Sequence, residues 1–302
     1  MIVYRIEHET RYAYEAAVAT SQHVAWLEPR VAPRQVLRSY ALTVTPEPLR
    51  VLRRFDYFGN VVHQFELLRP HLDMRVVSEG IVQIQEPDTL PAPERSPAWE
   101  DVRDQVRLAA TPDTRLASEF SFESPQIAID HNIAAFAQSA FGPGRPLLEG
   151  AIALMHRIHE EFTFDPSATT PATPVSKVLA DRRGVCQDFA HYLIALCRSV
   201  GVPARYVSGY LFASDSQDAS TPSADEVLVQ THAWMEIAIP GAGWWPLDPT
   251  NRMVVGGRHV KIGHGRDYDD VLPLRGLYHG PFHHELDVSV RMRRLATPQR
   301  FG

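Results

Sequence analysis

The sequence predicts an α+β chain in which an antiparallel, β-sandwich-like block comes first, followed by helices and then a closing group of strands. Three observations predict it. Residues 1–84 are dense in β-branched and aromatic side chains. Residues 126–200 carry apolar groups at helical spacing. Residues 204–250 return to alternation, broken by Gly/Pro turns.

In the first block, IVYRIEHETRYAY, SYALTVTP, VLRRFDYFGNVVHQFELL and MRVVSEGIVQI read as strands. Phe58-Gly59-Asn60 is a hairpin turn, because Gly and Asn accept positive φ. No chemical constellation stands out in this block. EPDTLPAPERSPAWEDV, residues 86–102, holds four prolines and reads as a connector. The expected boundary lies near residue 90, giving an N-terminal β domain over 1–90 and a second unit with a C-terminal extension over 91–302.

Helices follow. Residues 113–120 suit a short one, and 126–141 a second, stopped by Gly142-Pro143-Gly144. In residues 146–162, Leu147, Leu148, Ala151, Leu154, Met155 and Ile158 form a core stripe, with His156 and His159 on the wetter side. A short piece spans 174–179. CQDFAHYLIALCRSV, residues 186–200, has the same periodicity, and Gly201-Val202-Pro203 ends it.

ARYVSGYLF, residues 204–212, reads as a strand, and DSQDASTPSADE, residues 215–226, as a polar loop that overhangs a binding site. VLVQTHAWMEIAI puts His232, Trp234 and Glu236 on one face and Ala233, Met235 and Ile237 on the other. Pro240-Gly241-Ala242-Gly243 turns the chain, and WWPLDPT brings it back. If Ile239 pairs with Trp244, His232 faces Asn251 and Met235 faces Asp248, leaving Asp248 three positions from His232. HHELDVSVRMRRL, residues 283–295, supplies a last strand.

With 302 residues, 44% hydrophobic and 22% charged, the chain has material for a packed core and is not bulk-disordered. A net charge of −6 and the lack of a dense basic cluster argue against nucleic-acid binding. No apolar run approaches the roughly 18 residues of a membrane span. MIVYRIEHETRY lacks the features of a secretory signal, so a cytoplasmic location is expected. Cys186 and Cys197 are the only cysteines. Eleven residues apart in one helix, their Cα atoms lie roughly 16 Å from each other, and a disulfide needs less than about 7 Å.

The free cysteines therefore have separate roles. Cys197 falls on the apolar stripe and belongs to the core. Cys186 stands at the helix start, after Gly184-Val185. Unsatisfied N–H groups and the positive end of the helix dipole favour a thiolate there, and the same N–H groups suit an oxyanion. His232 offers an imidazole to take the thiol proton and return it to a leaving amine. Asp248 is suited to orienting that ring, although Asp-Pro-Thr equally reads as a turn. Trp234 shares a face with His232 and is the candidate wall for a substrate. Trp244, Trp245 and Tyr210 accompany it either there or in the core. His279, His283, His284 and Glu285 cluster, but their spacing matches no standard zinc motif and also fits a polar turn before a strand. Neither a metal nor a cofactor is expected.

GVCQDFAHYLIALCRSVGVPARYVSGYL, residues 184–211, resembles the nucleophile segment of the transglutaminase-like superfamily. THAWMEIAIPGAGWWPLDPT, residues 231–250, is similar to its histidine and aspartate segments, and GRDYDDVLPLRG, residues 265–276, to the tail of the bacterial branch. The first block resembles the N-terminal domain found with this core in that branch. The resemblance implies a papain-like α+β core with the nucleophile helix packed on an antiparallel sheet. It implies nucleophile, base and orienting roles for Cys186, His232 and Asp248. It leaves the reaction open, since members include cross-linking transglutaminases, peptidases, other amidases and non-catalytic proteins. The expected chemistry is attack on a peptide or side-chain amide through a thioester. Water resolving the thioester is favoured over an amine acceptor, and a non-catalytic scaffold is the remaining alternative.

Overall fold

The computed structural model describes residues 1–86, 92–212, 226–280 and 283–296. The expected boundary near residue 90 and most of the 215–226 loop lie outside the described residues. The first block forms β1 (Ile2–Val18), β2 (Thr20–Ala25), β3 (Gln35–Thr45), β4 (Val51–Phe55), β5 (Val61–Leu67) and β6 (His71–Ile84). Helices α1 (Trp99–Leu108), α2 (Pro112–Ser118), α3 (His131–Gln138) and α4 (Leu147–Glu161) follow. Next come β7 (Thr163–Phe164), α5 (Val175–Asp181), β8 (Arg183–Gly184) and α6 (Cys186–Ser199). The remaining strands are β9 (Ala204–Leu211), β10 (Glu226–Val229), β11 (Thr231–Ile239), β12 (Gly243–Asp248), β13 (Met253–Val254), β14 (His259–Gly265), β15 (Leu274–His279) and β16 (His284–Leu295).

Three principal antiparallel sheets result. Their strand orders are β10-β16-β1-β6-β3, β15-β2-β5-β4 and β13-β12-β11-β9-β14. The first two form a sandwich closed by Tyr14, Val44, Met74 and Val76 from one side and Ala25, Leu27, Phe65 and Leu67 from the other. The division at residue 90 does not follow the sheets. β15 pairs with β2, and β16 inserts between β1 and β10, so the last strands complete the first block. The sequence reading assigned that tail to the second unit, because strand partners distant in sequence leave no local signal.

The third sheet is covered on both faces. Ala233, Met235, Ile237, Leu247 and Tyr206 meet the helices, with Leu193, Leu196 and Cys197 of α6 in the same core. A second cluster joins Tyr210, Val260 and Ile262 of this sheet to Tyr4, Ile6, Val82 and Met292. β11 is therefore buried on both faces even though its sequence alternates.

Local chemistry sets the element ends. Thr111 caps α2 through the Thr114 N–H, and Asp130 caps α3 through Asn132 and Ile133. α3 thus starts at His131, later than the apolar spacing from 126 predicts. At Asp56–Asn60 the Gly59 N–H bonds Asp56 O, with Gly59 at φ 72°, which is the expected hairpin turn. Residues 99–108, part of which reads as connector, form α1 instead. The prolines of the connector end at Pro97, and Val102 and Val106 of the helix are buried.

Candidate active site

Cys186 is the first residue of α6. Asp188 reaches back from the first turn, and its Oδ2 accepts the Val185 N–H at 2.8 Å and the Thr169 hydroxyl at 2.6 Å. Gly184 makes room for that carboxylate, because a Cβ there would stand 2.7 Å from Asp188 Oδ2. Burial raises the proton affinity of Asp188, and these two hydrogen bonds oppose it. The cap anchors the helix start, and Cys186 lies half-buried at the edge of the core. Cys197 is wholly buried, and burial pushes its thiol up to about 12. The two cysteines are free, as expected, and differ in burial.

His232 lies near the start of β11, opposite Gly209 of β9. Asp248 ends β12. The turn between these strands is one residue shorter than the sequence suggests, so Ile239 pairs with Gly243 and Met235 with Leu247. The Ala242 N–H bonds Ile239 O, with Pro240 second in the turn and Gly241 third at φ 77°, the pattern of a type II turn. The expected pairing of Ile239 with Trp244 is thus corrected. A one-residue slip moves every side chain of a strand to the other face, so Asp248 shares the face of His232. Its Oδ2 is 2.8 Å from His232 Nε2.

The two carboxylate oxygens of Asp248 face different partners. Asp248 Oδ1 accepts the N–H groups of Thr250 at 3.0 Å and Asn251 at 3.1 Å, which makes the turn. Oδ2 accepts from His232 Nε2, from Asn251 Nδ2 at 2.8 Å and from His259 Nε2 at 3.0 Å. Asp248 is 0% exposed, and burial alone would favour its neutral form. The donors outweigh burial and hold the carboxyl well below the usual range. An ionised carboxylate only accepts, so both imidazoles carry a proton on Nε2.

Nδ1 is then the His232 nitrogen left for the Cys186 thiol, which is near enough to raise the proton affinity of the ring. Burial disfavours charge on His232, but the bond to Asp248 and the nearby Cys186 overcome it and raise the imidazole to about 10. His232, held by Asp248, thus stands beside Cys186 at the start of α6.

Trp234 is not a substrate wall. It is 1% exposed, and its ring lies over Gly209, where an added Cβ would come within 2.5 Å of the indole. Its edge packs on His259, with ring centroids 5.2 Å apart at 77°. The shared face is right, but on that face the indole is buried against Gly209 and His259. Tyr210 is likewise buried, bonding His8 Nδ1 through its hydroxyl at 2.7 Å. Trp244 is half-buried under the Arg205 guanidinium, 3.9 Å from the ring centre.

The sequence reading missed His259 and Asn251. His259 opens β14, two strands from β11, and only the assembled sheet brings it to Asp248. His232, Asp248 and His259 offer ligand atoms within 4.8 Å of one another. A metal takes an imidazole only at an unprotonated nitrogen, so a cation bound there would have to break both Nε2 bonds to Asp248. Among the described residues, His279, His283, His284 and Glu285 do not converge as a ligand set, and His284 Nδ1 instead meets the Tyr278 hydroxyl at 3.1 Å.

Further along the same sheet, Glu236 is buried with two cations. Arg205 Nε lies 2.7 Å from its Oε2, and Lys261 Nζ lies 2.8 and 2.7 Å from its two oxygens. Burial opposes its charge, but Arg205 and Lys261 hold Glu236 below the usual carboxylate range. Gln35 of the first block clasps Lys261 by donating to its carbonyl at 2.6 Å and accepting its N–H at 2.8 Å.

Comparison with known proteins agrees with this architecture. Residues 134–249 match the transglutaminase-like superfamily core, and residues 4–83 match the bacterial transglutaminase-like N-terminal region. The uncharacterized protein Rv2569c of Mycobacterium tuberculosis is 37% identical over 297 residues, covering 95% of this chain and 91% of its own length. The uncharacterized protein ML0607 of Mycobacterium leprae is 31% identical over 297 residues, covering 97% and 99%. The chain belongs to the transglutaminase-like superfamily. A crystal structure from Cytophaga hutchinsonii, provisionally described as a cysteine protease, superimposes with a TM-score of 0.74 at 22% identity, over 98% of this chain and 91% of that one. The fold is thus the papain-like α+β core with a sheet-rich N-terminal region. A protein-glutamine gamma-glutamyltransferase of Pseudomonas aeruginosa is 35% identical over 105 residues, which is 32% of this chain and 15% of that protein. No helix among the described residues is long and apolar enough to cross a membrane.

Proposed function

We propose that this protein is a cysteine-nucleophile acyl-transfer enzyme acting on a peptide or side-chain amide, with water as the final acceptor. The observation that carries the reading is His232, hydrogen-bonded to Asp248, standing near Cys186 at the start of a capped helix. The Cys186 thiolate adds to the amide carbonyl, and the N–H groups of the first turn of α6 receive the oxyanion. The tetrahedral adduct collapses as His232 gives its proton to the leaving nitrogen, the C–N bond breaks and an amine departs. The acyl group remains as a thioester on Cys186. Water then attacks and yields a proton to His232, and breaking the C–S bond releases a carboxylic acid and restores the thiolate. Asp248 holds the ring and stabilises its cation without itself taking the proton.

An amine in place of water would make the same centre a transglutaminase, a reading favoured by the likeness of 105 residues to the Pseudomonas aeruginosa protein. The test is mass spectrometry of a diverse peptide library after incubation with the protein and a labelled primary amine, alongside Cys186→Ala. Cleavage or deamidation that Cys186→Ala abolishes is the expected result. Amine incorporation exceeding hydrolysis would replace water with an amine as acceptor. No difference between the two proteins would remove the enzymatic reading.

A further inference from the structure

We infer that His259 is a positioning residue for this chemistry, holding Asp248 Oδ2 on the His232 ring. The inference rests on the acyl-transfer reading above. Three features of the site support it.

First, Asp248 must present one oxygen to His232 Nε2 at a fixed angle while the other maintains the turn. Of the side chains that donate to Oδ2 beside His232, Asn251 is exposed, and water can compete for its amide. The His259 side chain is 1% exposed, and its Nε2 bond at 3.0 Å is shielded from that competition. Second, the His259 ring cannot swing away. The Trp234 edge packs on it at 5.2 Å, and Trp234 is seated in the space left by Gly209. Third, packing alone does not account for a histidine here. Its Nδ1 is buried without a hydrogen-bond partner among the described residues, a cost that an apolar ring would avoid. The bond from Nε2 is what the histidine contributes in return.

The donor's charge state also suits the task. Burial lowers the proton affinity of His259, so it orients the carboxylate as a neutral group. A cation at that distance would oppose the imidazolium on His232, whose ring centroid is 5.8 Å away. His259 thus supplies direction to Asp248 without cancelling the charge that Asp248 stabilises.

The test needs no knowledge of the natural substrate. The rate of iodoacetamide alkylation at Cys186 is followed by peptide mapping from pH 5 to 10, and folding is checked by thermal melting. Wild type is compared with His232→Ala, Asp248→Asn, His259→Leu, His259→Gln and His259→Asn. His259→Leu is expected to move the alkylation limb to higher pH and slow the reaction at pH 6 by roughly 10- to 100-fold, the usual cost of losing a supporting partner. His259→Gln, which keeps a donor at similar reach, should recover most of that rate, and the shorter His259→Asn should not. Combined with Asp248→Asn, His259→Leu should add no further loss. If His259→Leu does not fold, the contrast between Gln and Asn carries the test. A wild-type profile in His259→Leu, or equal profiles for Gln and Asn, overturns the positioning role when Asp248→Asn and His232→Ala still shift theirs. If those two variants also leave the profile unchanged, the acyl-transfer reading itself falls.

Discussion

His232 Nε2 and Asp248 Oδ2 lie 2.8 Å apart, although the directly opposed residues nearest them on β11 and β12 are Met235 and Leu247. The contact is diagonal and depends on both residues pointing to the same side of the sheet. It is a consequence of where the turn at Pro240-Gly241 ends.

Asp248→Asn keeps the shape of this side chain and removes its charge. Turnover on an amide substrate should fall by about 100- to 10,000-fold, because the ring loses both its cation partner and its tautomer control. The melting temperature should fall as well, since the amide replaces an acceptor that takes five hydrogen bonds. A variant with turnover near wild type would show that Asp248 serves only the turn.

The imidazole of His232, raised to about 10, fixes a pH dependence. Its folded value lies above its unfolded one, so its contribution to stability is full below about pH 6.5 and is lost as pH rises through about 10. The difference in unfolding free energy between wild type and His232→Gln should therefore be largest near pH 6 and shrink above pH 10. Urea titrations at several pH values measure it. Turnover should decline over the same alkaline range, as the ring ceases to carry a proton for the leaving nitrogen.

Gly184→Ala places a methyl group 2.7 Å from Asp188 Oδ2 and 2.8 Å from its Cβ. The cap must move or the helix start must shift. We expect a loss of about 1–3 kcal/mol in stability, together with slower alkylation of Cys186. Thermal melting and thiol labelling report the two effects separately.

Glu236→Gln leaves Arg205 and Lys261 buried without their shared counter-ion. Removing one partner from such a group costs about 3–5 kcal/mol. Replacing Glu236 and Lys261 together by Leu and Met should cost less than Glu236→Gln alone. Denaturant midpoints of the three proteins test that order.

Acid should weaken the fold through histidines buried as neutral rings. Burial lowers His8 and His23 to about 4 and His191 to about 3. Their folded values lie below the unfolded one, so the unfolded chain binds more protons and stability declines as pH falls from about 6.5 toward 4. Both nitrogens of His23 lack partners among the described residues, and its ring stacks on Phe65 at 5.0 Å. His23→Phe should raise the melting temperature and flatten the acid limb.

The parts of this site that follow from local pattern were legible in the sequence. The periodicity of residues 186–200 placed Cys186 at a helix start and Cys197 in the core, and the alternation after Thr231 put His232 and Trp234 on one face. What could not be read depends on pairing between distant segments. One residue of turn length decided the face of Asp248, and the order of five strands brought His259 to it. Trp234 has the expected face but not the expected exposure, since His259 and Gly209, which pack on it, come from other strands. For the same reason β16 was seen as a strand but not as the partner of β1.

The pairing of β1 with β16 also bears on how the chain is made. Synthesis delivers β1 first, and its partner leaves the ribosome almost three hundred residues later. Until then one edge of β1 lies open, the kind of exposed backbone on which nascent chains associate with each other. A gene truncated before residue 284 would encode every residue of the candidate centre yet leave that edge permanently bare.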